Sequence, residues 1–173
     1  MSETTADSFR VEDPFSQIYA KLWDAFENHQ GFTDLVKVGN RIRFDKGAVD
    51  PQREKILEND LPEVAIFDAS GDNFNITPNK NSSLMGQAVY EVRVSTGEMS
   101  GKTMRQVKFH ILIALTKAGV DLGDLSFVRN INVSGAFTSS LGNTAANRGI
   151  AGWSTVFTVV VDLNIGVDVI LEL

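Results

Sequence analysis

Between Gln87 and Ala118 the spacing of apolar residues changes once, from strict alternation to a helical stripe, and this constrains the fold more than any other feature. Ala88, Tyr90, Val92 and Val94 fall on one side of an extended segment and Gln87, Glu91 and Arg93 on the other, a half-buried strand over Ala88 to Thr96. From Lys102 to Ala118, Met104, Val107, Ile111, Ala114 and Ala118 recur at helical spacing, with Gly119 expected to end the helix. Phe109, Leu112, Ile113 and Leu115 widen that stripe, so this helix is expected to be covered on more than one side and to sit at a subunit contact.

The other segments are simpler. Asp13-Pro14 supplies an N-cap and a first-turn proline, and Phe15, Ile18, Leu22, Ala25 and Phe26 follow at helical spacing, with Gly31 closing the element near His29. His29 fits a helix C-terminus, where the dipole favours it. Val36 to Asp45 is expected to be extended and interrupted by a turn at Gly39-Asn40. There Arg41 and Arg43 alternate with Ile42 and Phe44, as on the solvated face of a strand, with a phosphate or DNA contact as the lesser alternative. Leu61 to Phe67, Phe74 to Thr77, Leu125 to Val133 and Trp153 to Asp162 are further strands.

Helix, strands, helix, then two strands lacks the repeating rhythm of a parallel α/β protein. The expected fold is α+β, an antiparallel or mixed β-sheet with two main helices packed on one face. Residues 1–12 are expected to be disordered, 13–163 to form a single domain and 164–173 a C-terminal strand or arm.

Composition removes several classes of function. The 173 residues contain no cysteine and only His29 and His110, which makes a zinc or iron site improbable. His110, inside an apolar helix, fits a neutral structural histidine better than a catalytic base. Sixteen basic and 22 acidic residues, a net charge of -6, oppose a surface that grips nucleic acid. No apolar run approaches the roughly 20 residues of a membrane span, and the polar, acidic start lacks the pattern of a secretory signal, so a cytoplasmic location is expected. No cofactor is implied.

Gly101-Lys102-Thr103 resembles the end of a phosphate-binding loop. Such a loop needs four residues between its first glycine and the Gly-Lys pair, and Gly97 leaves three, with Glu98 placed to repel phosphate. Val159-Val160-Val161-Asp162 could imitate the acidic strand that holds magnesium. The nucleotide site also belongs to parallel sheets with several crossover helices, and too few helices remain here. The glycines therefore serve to turn the chain, with Ser100 or Thr103 starting the helix.

Two segments stand out as candidate interfaces. Ser134 to Gly152 carries one charge, Arg148, among small residues, with Phe137 and Leu141 among its few bulky apolar groups; it is expected to be a loop that is either functional or disordered. The tail from Ile165 has apolar residues at every odd position, so Val167, Val169 and Leu171 would face one way, completing the chain's own sheet or adding to a neighbour's. Trp153, at the start of the last strand, joins the same set.

The order "IYAKLWDAFENHQGFTDLVKVGNRIRFD", "LPEVAIFDA", then "AVYEVRVSTGE" leading into "VKFHILIALTKAG" resembles the tail terminator, or tail completion, proteins of long-tailed bacteriophages and prophages. The likeness spans roughly Ile18 to Leu163 and includes no catalytic motif. It implies a structural virion protein that is not an enzyme, a ring, typically a hexamer, on the head-proximal end of the tail tube. Its partners would be the tail tube protein and a neck or head-completion protein, with DNA only passing through the lumen. Its location would be the virion tail, assembled in the host cytoplasm. A neck or tail-tube component with a similar sheet is the nearest alternative. A small nucleotide-binding enzyme using Gly101-Lys102-Thr103 is the alternative of another class. A ligand-binding oligomer with a pocket beneath Trp153 and Phe157 is the third.

Overall fold

In a computed structural model, the structure describes residues 13–43, 61–69, 74–77, 83–97, 101–140 and 152–166. Helix α1 (Pro14–Glu27) begins where expected: the Asp13 carboxylate accepts the Ser16 amide at 2.9 Å, and Pro14 occupies the first turn. Burial acts to raise the Asp13 pKa, but the hydrogen bonds from Ser16 outweigh it and hold the group below its ordinary value. Ile18, Leu22, Trp23, Ala25 and Phe26 are buried on one side of the helix.

The chain then departs from expectation. Asn28 caps α1, and instead of ending at Gly31 the chain makes a second short helix, α2 (Gln30–Thr33), then a 3-10 turn at Val38–Asn40. Only Arg41–Ile42 remains extended, as β1. Phe32 and Val36 are both buried, and continuing the helical path is what brings both onto the core. Arg41 and Arg43 do not form a solvated strand face. Arg41 donates to the Val36 carbonyl from Nε and Nη2 at 3.0 and 2.8 Å, bonding the chain just after α2. Arg43 is buried, ion-paired with Glu27 at 2.7 Å and stacked over Trp23 at 5.3 Å.

Strands β2 (Glu63–Asp68), β3 (Phe74–Thr77) and β4 (Ser83–Gly97) follow, then helix α3 (Gly101–Gly123), β5 (Val128–Ser140) and β6 (Gly152–Gly166). The sheet order is β1-β2-β4-β6-β5, with β3 also on β4. β2 pairs with Tyr90 to Ser95 and β3 with Ser83 to Gly86, so the two run end to end along one edge of β4 while β6 takes the other. β1 and β2 are parallel and the other pairs antiparallel, so the sheet is mixed and the fold is α+β.

Alternation decides what the sheet buries. Val64 and Ile66, Ala88 to Val94 at even positions, and Phe157 to Ile165 at odd positions share one face, and α1 and α3 pack side by side on it. Two phenols pin α1 down: Tyr19 donates to the Ile66 carbonyl and Tyr90 to the Phe15 carbonyl, each at 3.2 Å. Burial pushes the Tyr90 pKa well up, so the hydroxyl remains a donor.

Two boundaries move outward. α3 continues through Gly119 to Gly123, because Leu122 extends the buried stripe by a turn and is fully covered. Ser134 to Ser140, expected in a loop, belong to β5, pairing with β6 from Ser134↔Thr158 to Ser140↔Trp153 across a bulge. Ladder hydrogen bonds make this strand from small residues that carry no alternating signal. Asn164 to Gly166 similarly end β6 rather than begin a separate arm. The N-terminal residues 1–12, the loop residues Leu141 and Arg148, and the tail residues Val167, Val169 and Leu171 lie outside the described residues.

Candidate assembly surface

Helix α3 carries two apolar stripes. Met104, Val107, Ile111, Ala114, Leu115, Ala118 and Leu122 face the sheet and are buried. Phe109, Leu112, Ile113 and Val120 do not; Phe109 is 59% and Val120 68% exposed. Spacings of three, four and seven residues put them on the outer side of the helix, as a second stripe. The expected second cover for α3 is therefore not supplied by the described residues of its own chain.

Beside α3 lies an open sheet edge. β5 is the last strand in the order, so the backbone groups on its outer side have no strand partner among the described residues. Between this edge and α3 a groove of about 430 Å³ is lined by Leu115, Thr116, Gly119 and Gly123 of the helix and by Val128 to Ile131 and Val133 of the strand. No described atom lies within 4 Å of where a Cβ on Gly119 or Gly123 would sit. A glycine inside a helix costs about 1 kcal/mol relative to alanine. Among the described residues, nothing fills the space it leaves at Gly119.

Behind the stripe, His110 joins α3 to the α1–α2 corner. Its Nδ1 is 2.9 Å from His29 Nε2, so one ring donates and the other accepts according to tautomer. Gly31 packs directly on the His110 ring, where a Cβ would overlap it. This close approach is what the glycine provides, rather than a helix stop. Desolvation, then the proximity of His110 and Lys117, holds the His29 pKa below its ordinary value. Phe109 meets His110 edge-on at 5.7 Å, which links the pair to the outer stripe. Among the described residues, no group of three His, Cys, Asp or Glu could hold a metal ion.

The other sequence-derived candidates scatter. Trp153 begins β6, opposite Thr96 and Ser140, and is 48% exposed, whereas Phe157 is buried in the core. Phe137 lies on β5, paired with Val156. Gly101 starts α3, while Asp162 pairs with Gln87, ten residues down β4 from Gly97. At about 3.3 Å per residue that is roughly 33 Å, and β4 lies antiparallel to its neighbours, so lysine and acid are not assembled into one phosphate site. Asp162 instead accepts from Gln87 at 2.8 Å and Asn130 at 3.2 Å, tying three strands together.

The outer stripe of α3 was legible in the sequence as surplus apolar width. The groove was missed, because its wall is a strand edge, and an edge is a property of sheet order. Among the described residues no helix is long and apolar enough to cross a membrane. No protein-family model matches the chain, and no curated protein is significantly similar to it.

Proposed function

We propose that the protein is a ring-forming structural subunit of a long-tailed phage tail, the terminator that caps the head-proximal end of the tail tube and offers a surface for head joining. The observation that carries the assembly half of this reading is the second apolar stripe of α3, on a helix that also borders the open β5 edge. Exposed apolar area of this kind marks an association surface, and a ring requires one patch to meet a different patch on the next copy. The tail half rests on the resemblance in segment order and wording over Ile18 to Leu163. The protein acts by shape, without catalysis or cofactor. Its partners are further copies of itself, as a hexamer, the tail tube protein and a neck or head-completion protein. DNA passes through the lumen, and the site of action is the virion tail, assembled in the host cytoplasm.

Mixing the purified protein with assembling tail tubes, then imaging by electron microscopy, tests this reading. A ring at one end of each tube, with elongation stopped, is the expected result. Incorporation along the tube would instead favour a tube component, and no association with tube or with itself would remove the reading. Adding ATP and magnesium should change neither mass nor melting temperature; a shift abolished by Lys102→Ala would revive the nucleotide-binding alternative.

A further inference from the structure

We propose that residues 167–173 of a neighbouring copy add as a strand to the free edge of β5, their apolar side chains filling the groove between β5 and α3. This rests on the reading that the chain assembles with itself and names the contact that joins the copies. Three features converge on this occupant. The first is where the segment leaves the sheet. β6 pairs through Gly166 with Ser83, the first residue of β4, while β5 begins beside Leu163 at Val128. The chain after Gly166 therefore starts beyond the first residues of both flanking strands, with no described strand to continue along.

The second is pattern. Leu163 and Ile165 are buried on the helix-covered face, and Val167, Val169, Leu171 and Leu173 continue the same odd positions. Ile131 and Val133 of β5 border the groove. A strand added to that edge in matching phase puts its odd side chains over the vacant space at Gly119 and Gly123.

The third is reach. Seven extended residues span about 23 Å. Doubling back to its own β5 edge would take the segment across two strand spacings, about 10 Å. That leaves about 13 Å, or roughly four residues, to pair with its own edge. In a neighbour's groove the whole segment pairs, and the contact is heterologous, as ring closure demands.

Two variants separate this from other contacts. Leu171→Asp spoils the inserted segment and leaves the groove intact. Gly119→Leu fills the groove, leaves the segment intact and, at an open helix position, should raise the melting temperature by about 2 to 4 °C. Sedimentation across a concentration series should show the native chain assembling and each variant alone associating at least tenfold more weakly. An equimolar mixture of the two should form a heterodimer, the good segment of one in the good groove of the other. If both variants assemble like the native chain, the segment-in-groove contact is wrong while the ring reading stands. If Leu171→Asp lowers the melting temperature without changing association, the segment belongs to its own sheet and the proposal is overturned. A native chain that stays monomeric with and without tube protein sinks the assembly reading itself, and this contact with it.

Discussion

Helices α1 and α3 lie side by side on the same sheet and finish in opposite states. α1 buries its apolar stripe, with Phe15 alone left half-buried, and holds itself down with tyrosine hydroxyls and, at its end, the Glu27–Arg43 pair over Trp23. No large apolar residue of α1 is exposed, whereas α3 exposes Phe109, Leu112, Ile113 and Val120 after satisfying the core. The difference separates two uses of apolar surface: α1 is spent within the protomer, and α3 has surface to bury against something else. The β5 edge and its groove border α3, which sets this surplus on the element next to a strand with no described outer partner.

The largest effect should come from the closed side. Trp23→Ala removes a fully buried ring and the stacking surface of Arg43, and should cost about 3 to 5 kcal/mol in denaturant unfolding. A loss below about 1 kcal/mol would mean that α1 is not the closed helix. Next, Gly31→Ala drives a methyl into the His110 ring and should cost about 1 to 3 kcal/mol. In a His110→Ala background most of that cost should vanish, a coupling read by a double-mutant cycle.

On the open side the expected stability effect is small. Phe109→Ser and Val120→Ser should each change unfolding free energy by no more than about 0.5 kcal/mol while weakening assembly measured by light scattering. A large loss of stability with unchanged assembly would reverse the contrast between the helices. The smallest effect lies at the junction. His29 has a folded-state pKa below its ordinary 6.5, so between those values the unfolded chain binds more protons than the folded one. Its contribution is full above about pH 6.5 and is lost as pH falls through the interval down to the folded value. Melting temperature should decline across that window, and His29→Gln should flatten the decline.

Legibility followed periodicity. Strand β4 and helices α1 and α3 announced themselves because one face of each is uniformly apolar, and their order was enough to give the α+β class. The surplus width of α3 was visible for the same reason. The Val36 to Asp45 region misled because alternating Arg41, Ile42, Arg43 and Phe44 imitates a half-solvated strand. In fact the carbonyls of Val36 and Thr33 hold the Arg41 guanidinium, and Glu27 with Trp23 holds that of Arg43. Ser134 to Ser140 hid for the opposite reason: backbone pairing builds that strand from small residues without side-chain contrast.

The sequence by itself determined which faces are apolar, that one helix carries more apolar surface than a single contact can use, and that the chain lacks thiolate ligands. These are local properties, set by side-chain chemistry and the fixed repeats of helix and strand. Only the tertiary structure decided that β6 inserts between β4 and β5, leaving β5 at the edge beside α3. It alone brought His29 to His110 across Gly31, and set Asp162 far from Lys102 along antiparallel strands. Strand order and cross-chain contacts come from packing residues distant in sequence, and no local repeat encodes which strand will be left without a neighbour.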